Sequence, residues 1–519
     1  MDANLYLDAV RRALPRLLSR FDTDRTSESH GLGDRLYWAW GLIDFGNATF
    51  QGAAHGLARL WRCGLWPYPT SAGVFVQRID ALFAGAKRLT REDGSLEEAF
   101  PREGSFCVTA LVAYDLLCAI DLLAADLDAE TKVRWKSIIA PMVDYLLEAD
   151  ETHAFISNHL ATAAAALVRW HALSGSAASE ARARVLIDRI LAAQSNEGWF
   201  KEYEGADPGY QSLCTCYLAD VHALRPDWGL REPLQRSVRF AGHFAHADGS
   251  FGGLYGSRCT RFFYPSGFEA LAPEMEEAAA LALHMAAAIT GERVVGLSAI
   301  DEPNLVPMFN AYCRAAELRA RGAPTSRYVL PALRHEAMHV AFAEAGIVVD
   351  AGPRHYTIVS THKGGVVAHF VDGRASRIDA GVVVRGGAGR LGSSQTYAPE
   401  NVVRMEADAL VVESRIRPMP RRLPSPADFI VLRLLCVSAF RLPRLREWVK
   451  RRLVRLLIGR QEAWPATNVR RIALGPELAI SDETRLPEGY VRLEAPGPFV
   501  SIHMASQGYW QLHDETDPR

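Results

Sequence analysis

The chain has 519 residues, 49% of them hydrophobic and 23% charged, with a formal net charge of −2. That length exceeds what one hydrophobic core usually holds, so at least two domains are expected. The balanced charge gives no overall attraction for nucleic acid, and no apolar run reaches the roughly 18 residues of a spanning helix.

The eight Cys show no paired metal-ligand spacing, Cys214 and Cys216 lying one residue apart, and are read as reduced core thiols. The opening segment carries acidic residues early and only short apolar runs, unlike a secretory signal, so a cytoplasmic location is expected. From residue 4 to about 320 the apolar residues recur at helical period. The pattern predicts helices near 4–20, 36–62, 72–90, 106–124, 129–149, 157–175, 178–194, 210–224, 229–246, 266–290 and 304–321. Linkers 125–128, 176–177 and 225–228 are short, whereas 21–35, 91–105, 195–209 and 247–265 are long. Each long linker precedes the same alternate set of helices. An α/α toroid, with inner and outer helices alternating round an axis, has that pattern, and it is expected over residues 1–322.

The long linkers repeat a theme: Asp93-Gly94-Ser95, Asn196-Glu197-Gly198-Trp199-Phe200, and Asp248-Gly249-Ser250-Phe251. The Asp-Gly pairs suit turns for backbone reasons. The aromatics and arginines that follow (Trp199, Tyr203, Tyr255, Arg258 and Arg261) suit stacking on sugar rings and pairing with carboxylates if they stand on surface loops. Ser157-Asn158-His159 opens one helix and Tyr210 opens the next but one. Antiparallel succession makes those two helices parallel, so Asn158, His159 and Tyr210 share one end. Asn158 reads equally well as an N-cap.

Past Arg321-Gly322-Ala323-Pro324 the period shortens. Strands are expected at 339–343, 346–349, 356–360, 366–371, 380–384 and 409–414, then at 469–474, 478–481, 490–494 and 499–504. They point to an antiparallel β-sandwich over residues 328–519. A basic insert, 421–460, interrupts it with eleven Lys and Arg against Asp428 and Glu447. Its apolar residues, among them Phe429, Leu434, Leu445 and Trp448, fall at helical spacing. Such a hairpin either makes a peripheral contact with an anionic membrane or packs its apolar side on the sandwich.

A toroid followed by a sandwich, with Ser157-Asn158-His159 opening one inner helix and Asp207-Pro208-Gly209-Tyr210 the next, resembles the heparinase II/III-like polysaccharide lyases. The resemblance implies β-elimination on an acidic polysaccharide or oligosaccharide, or a lipid-linked glycan, without metal or cofactor. Asn158 or His159 would bind the uronate carboxylate and Tyr210 would move protons, reinforced by Arg258 or Arg261. A histidine from the first sandwich strands would assist; His355, His362 and His369 are the candidates, with His362 favoured. Trp199, Tyr203, Tyr255, Arg261 and His355 would line the substrate. The chemistry needs donors aimed at a developing enolate and a proton carrier beside it. Two other readings stay open. One is a glycoside hydrolase on the same toroid, using two of Glu97, Glu98, Glu202, Asp207 and Asp248. The other is a silent glycan-binding or assembly protein held at the inner membrane face through 421–460.

Overall fold

The computed structural model describes residues 4–152, 154–406, 409–419, 423–457, 462–494 and 497–502. Helices come first: α1 (Leu5–Leu18), α2 (Ala53–Arg62), α3 (Ala72–Leu89), α4 (Phe106–Leu122), α5 (Ala129–Glu148) and α6 (Ser157–Ser174). They continue as α7 (Ala177–Ala192), α8 (Pro208–Leu224), α9 (Arg231–Gly242), α10 (Ser266–Leu271), α11 (Glu276–Thr290) and α12 (Glu302–Ala320). Side chains of Ser71, Ser105, Asp128, Ser176, Asp207 and Asp301 accept first-turn N–H groups, which sets where six of these helices begin.

Two expected helices are broken. The stretch 36–62 is a short turn at Leu36–Trp40, a 3-10 turn at Ala48–Gly52 and then α2, interrupted around Gly41, Gly46 and Asn47. The stretch 266–290 divides into α10 and α11 about Pro273, which has no N–H to continue the ladder. Packing follows the alternation: α2 touches α4, α4 touches α6, α6 touches α8, α8 touches α10, α10 touches α12, and α12 returns to α2. Ala161 and the run Ala163–Ala166 let α6 lie buried between its neighbours.

Antiparallel strands follow. β1 (Met338–Phe342), β2 (Ile347–Ala351), β3 (His355–Ser360), β4 (Val366–Val371) and β5 (Arg374–Asp379) form a meander. Both of its faces are covered. Ile347, Val349, Ile358 and Phe370 pack against Trp199, Phe240, Phe244 and Tyr255 of the helical region. The alternate residues Val348, Val359 and Val367 pack against Leu410, Val412 and Ile472, as the two-residue side-chain period requires. The remaining strands are β6 (Val383–Arg385), β7 (Leu391–Ser393), β8 (Val402–Glu406), β9 (Ala409–Arg415), β10 (Arg417–Pro418), β11 (Thr467–Ala473), β12 (Ala479–Arg485) and β13 (Val491–Leu493). They make two four-stranded sheets, ordered β12-β11-β9-β8 and β10-β7-β6-β13. β5 and β8 went unforeseen because both are edge strands with few buried residues. No strand forms at 499–502, and 503–504 lie outside the described residues.

The insert forms α13 (Pro426–Val437) and α14 (Pro443–Leu457); Arg421, Arg422 and 458–460 lie outside the described residues. Among the described residues, its buried apolar side chains pack on the helical region rather than on the strands. Cys436 and Phe440 pack on Phe100 of the helical region, the two phenyl rings 5.7 Å apart. Arg433 pairs with Asp44 at 2.8 Å, and the Thr152 hydroxyl donates to Glu447 at 2.8 Å. The acidic, aromatic linker 91–105 offers both the ring and the charge that this hairpin needs. Among the described residues no helix is long and apolar enough to cross a membrane.

Candidate functional site

Residues 201–205 run as a strap along 155–158. The Ser157 N–H and hydroxyl both donate to the Lys201 carbonyl, at 3.0 and 2.7 Å, and the Tyr203 N–H donates to the Phe155 carbonyl at 2.8 Å. The strap lays the Glu202 carboxyl across the start of α6. There it accepts the Asn158 backbone N–H at 3.1 Å and the Asn158 side-chain amide at 2.8 Å. The N-cap of α6 is Ile156, which has no capping side chain, so Glu202 does that work from outside and Asn158 is not an N-cap. Burial raises the Glu202 carboxyl to about 8, against the two bonds from Asn158, which favour its ionised form. At neutral pH it is mostly protonated, and it fixes the plane of the Asn158 amide.

The same strap presents Tyr203, held at φ +60°. The Arg258 guanidinium lies over the Tyr203 ring, 4.0 Å from its centre. Burial pushes the Tyr203 hydroxyl up to about 12, although Arg258 opposes the shift. One carboxylate joins this group to α8. Asp207 caps the helix by accepting the Tyr210 N–H at 3.2 Å, and its other oxygen accepts the Arg258 N–H at 3.0 Å. Thr260 donates to it as well. The Tyr210 ring meets Phe262 edge-on at 5.4 Å. His159 Nδ1 lies 2.6 Å from a Glu151 oxygen. A carboxylate there holds the ring proton on Nδ1 and turns Nε2 the other way. Asn158, Tyr203, Tyr210 and Arg258 are thus linked through Glu202 and Asp207, with His159 next to Asn158 along α6.

A carboxylate cluster adjoins it. Glu98 accepts the Ser105 hydroxyl at 3.0 Å, and burial first, then Glu103, raises its carboxyl above the ordinary value. Lys450 of α14 reaches in, its Nζ 3.2 Å from Glu103. Burial works against the Lys450 charge, but Glu103, Glu151, Glu447 and Glu98 together hold it above the ordinary lysine value. Nothing local in the sequence pairs Lys450 with residues some 300 positions earlier, and sequence reasoning missed it.

Other expected residues lie elsewhere. Tyr255 and Arg261 line a cleft of about 930 Å³ with His246, Asp248, Arg293 and Arg374, and that cleft does not include Asn158, Tyr210 or Arg258. Tyr255 is buried, with its hydroxyl 2.9 Å from His246 Nε2. Trp199 is buried too, its indole N–H donating to Glu197 at 2.9 Å. The expectation that these two aromatics stand on surface loops is therefore corrected: β1–β5 cover them. His362 does border the strap. Its Nδ1 lies 3.2 Å from the Tyr397 hydroxyl, which donates to the Glu204 carbonyl at 3.2 Å; burial lowers the His362 pKa. His355 sits at the far end of β3, about 20 Å of strand away, bonded to Asp350 at 3.0 Å. His369 is bonded to Thr357 at 2.8 Å.

Of the five carboxylates a hydrolase would choose from, Glu97 pairs with Arg91 at 2.6 Å, Asp207 caps α8 and Asp248 closes a turn with Ser250. Glu98 and Glu202 are left. Among the described residues no group of three or more His, Cys, Asp or Glu is placed to hold a metal ion.

No family model and no curated protein matches the sequence. Solved structures do match. Streptomyces coelicolor A3 chondroitin AC lyase, in complex with chondroitin sulphate, aligns at TM-score 0.51 and 12% identity over 81% of this chain and 64% of the lyase. Heparinase III aligns at 0.44 and 11% over 80% and 75%, and cellobiose 2-epimerase from Bacillus thermoamylovorans B4167 at 0.44 and 9% over 61% and 100%. The chain spans less than two thirds of the chondroitin lyase, and 46% of a Paenibacillus xanthan lyase. At such identity the likeness to chondroitin AC lyase shows the fold alone: this chain has a polysaccharide-lyase fold.

Proposed function

We propose that this chain is a polysaccharide lyase that cleaves a uronate-bearing glycan by β-elimination at the Asn158–Tyr210–Arg258 group. Its frame is an (α/α) toroid over residues 1–322 and a β-sandwich over 328–519. The ring of contacts from α2 through α12 and back supports the first; the shared layer of Val348, Val359 and Val367 with Leu410, Val412 and Ile472 supports the second.

The carrying observation is the Asn158 amide, held by the buried Glu202 carboxyl, which burial raises to about 8. One side-chain N–H is held by Glu202; the second is the donor this reading assigns to the uronate carboxylate, with His159 Nε2 and Arg258 as further donors. Protonation of Glu202 matters, because an ionised carboxylate there would repel the substrate. As the C5–H bond breaks, charge develops on the uronate carboxylate, where preorganised donors act most strongly. Tyr210, entering as the phenolate, takes that proton and becomes the neutral phenol. The C4–O bond then breaks as the C4–C5 double bond forms, and the phenol returns a proton to the leaving oxygen. Tyr203, with its hydroxyl pushed up to about 12, is a poor base and serves instead as the platform for Arg258. His362, beside the strap, would contact the sugar across the scissile bond.

One observation points toward hydrolysis instead: burial, then Glu103, raises the Glu98 carboxyl above its ordinary value, the direction a general acid needs. A panel of uronate polymers separates the two. Elimination gives new reducing ends together with ultraviolet absorbance of the unsaturated uronate. Hydrolysis gives reducing ends alone, and that result would sink the lyase reading. On a polymer that is cleaved, Tyr210→Phe keeps the ring but loses the proton carrier. Turnover should fall by about 10²-fold or more while polymer binding is retained.

A further inference from the structure

We infer that the face built by residues 36–42 and the insert helices α13 and α14 docks on an anionic phospholipid surface. Two segments far apart in sequence meet there: Arg433 of α13 pairs with Asp44 at 2.8 Å and lies over the Phe45 ring. Each contributes large apolar side chains to solvent. Trp40 is 89% and Leu42 98% exposed. On the insert, Ile430 is 61%, Leu434 60%, Leu442 63% and Trp448 51% exposed. These are not leftovers of a helix with one apolar side. α13 has already buried Cys436 against Phe100, and α14 has already turned Arg446 and Lys450 toward the helical region. α13 therefore carries a second apolar face, and α14 leaves Trp448 exposed while its inward contacts are made by charges. Single exposed apolar residues need no explanation, but a contiguous set marks an interaction surface.

Charge selects the occupant. Arg35, Arg441, Arg444, Arg451 and Arg452 are exposed around the apolar residues, and Arg452 lies over the Trp448 ring. The acids on the same helices are engaged: Asp428 in the N-cap with Ser425, Glu447 with the Thr152 hydroxyl. A second copy of the chain docking here would set arginine rim against arginine rim, which like-charge repulsion opposes. An anionic leaflet accepts both the tryptophans and the arginines. The inference does not depend on the lyase reading.

Flotation of the full chain with vesicles of phosphatidylcholine, with and without phosphatidylglycerol, tests it. Binding should appear only with phosphatidylglycerol. It should weaken as salt rises toward about 1 M, where the screening length falls to about 3 Å. Each arginine near the leaflet contributes about fivefold, so Arg441→Glu with Arg444→Glu should weaken binding at least about 25-fold. Trp40→Ser with Leu42→Ser should also weaken it. Both pairs are exposed, so circular dichroism and melting should be unchanged. Failure to float with anionic vesicles, or binding indifferent to both pairs, overturns the inference. So does a concentration-dependent dimer in sedimentation that Trp40→Ser with Leu42→Ser abolishes, since a second copy would then be the occupant.

Discussion

Replacing Glu202 by Gln tests the pivot of the site through stability alone. In the folded chain this carboxyl titrates near 8 rather than 4.5, because burial penalises its charge. The folded state therefore holds a proton that the unfolded state has already lost between those two values. Stability must fall as pH rises from about 4.5 to about 8, and level off beyond. At about 1.4 kcal/mol per pH decade, the full span is worth roughly 5 kcal/mol. Glu202→Gln removes the titration but turns an amide NH₂ toward one of the two Asn158 donors, costing about 1–3 kcal/mol at every pH. The variant should thus be the weaker protein in acid and the stronger one in base, with the curves crossing between about pH 5 and 7. Urea denaturation of both proteins across pH 5–9 measures this directly. A constant difference between the two curves would refute the protonated-carboxyl account.

Two further outcomes follow from buried ion pairs. Lys450→Ala leaves Glu98, Glu103 and Glu151 without their shared cation, so the insert should loosen by about 3 kcal/mol. Limited proteolysis should then cut within 423–457 well before the rest of the chain; an unaltered digestion pattern would contradict it. Arg470→Ala removes the side chain that bonds Asp482 at 2.8 Å, Asp379 at 2.7 Å and the Gly365 carbonyl at 3.1 Å. That change joins the loss of a buried pair to the loss of a tie between two sheets, and should cost about 3–5 kcal/mol in thermal or chemical unfolding.

The helical order was legible because long helix-forming apolar stretches such as the Ala-rich Leu160–Val168 end at recognisable caps and glycines. Gly175 ends α6 at φ +74°. Edge strands such as Arg374–Asp379 were not legible, since a strand with one solvated face and few apolar residues gives no alternation. Asn158 and Tyr210 could be placed at one end from helix succession alone. The job of Glu202 could not. Its carboxyl is found beside Asn158 only because the strap pairs Ile156 with Glu202, a long-range bridge with no local signature. Trp199 and Tyr255 were misplaced for a related reason. An aromatic in a long linker looks the same whether the linker meets water or lies beneath a sheet.

The insert shows how charge and packing divide one segment between two tasks. Eleven basic residues in 421–460 exceed what docking on strands would need, and the described contacts account for the excess on one side. Arg433 meets Asp44 at 2.8 Å, Arg446 lies 3.7 Å from Asp93, and Lys450 lies 3.2 Å from Glu103. All three partners precede ring helices, and Glu103 helps raise the Glu98 carboxyl above its ordinary value. On the lyase reading proposed above, the cluster without the insert would present Glu98, Glu103 and Glu151 to an acidic glycan approaching Asn158. The cations of α14 neutralise it from within the low-dielectric layer, where a charge acts more strongly than on a solvated rim. α14 thus belongs to the electrostatics of the proposed site as much as Arg258 does, while Arg444, Arg451 and Arg452 on the same helix are exposed to solvent.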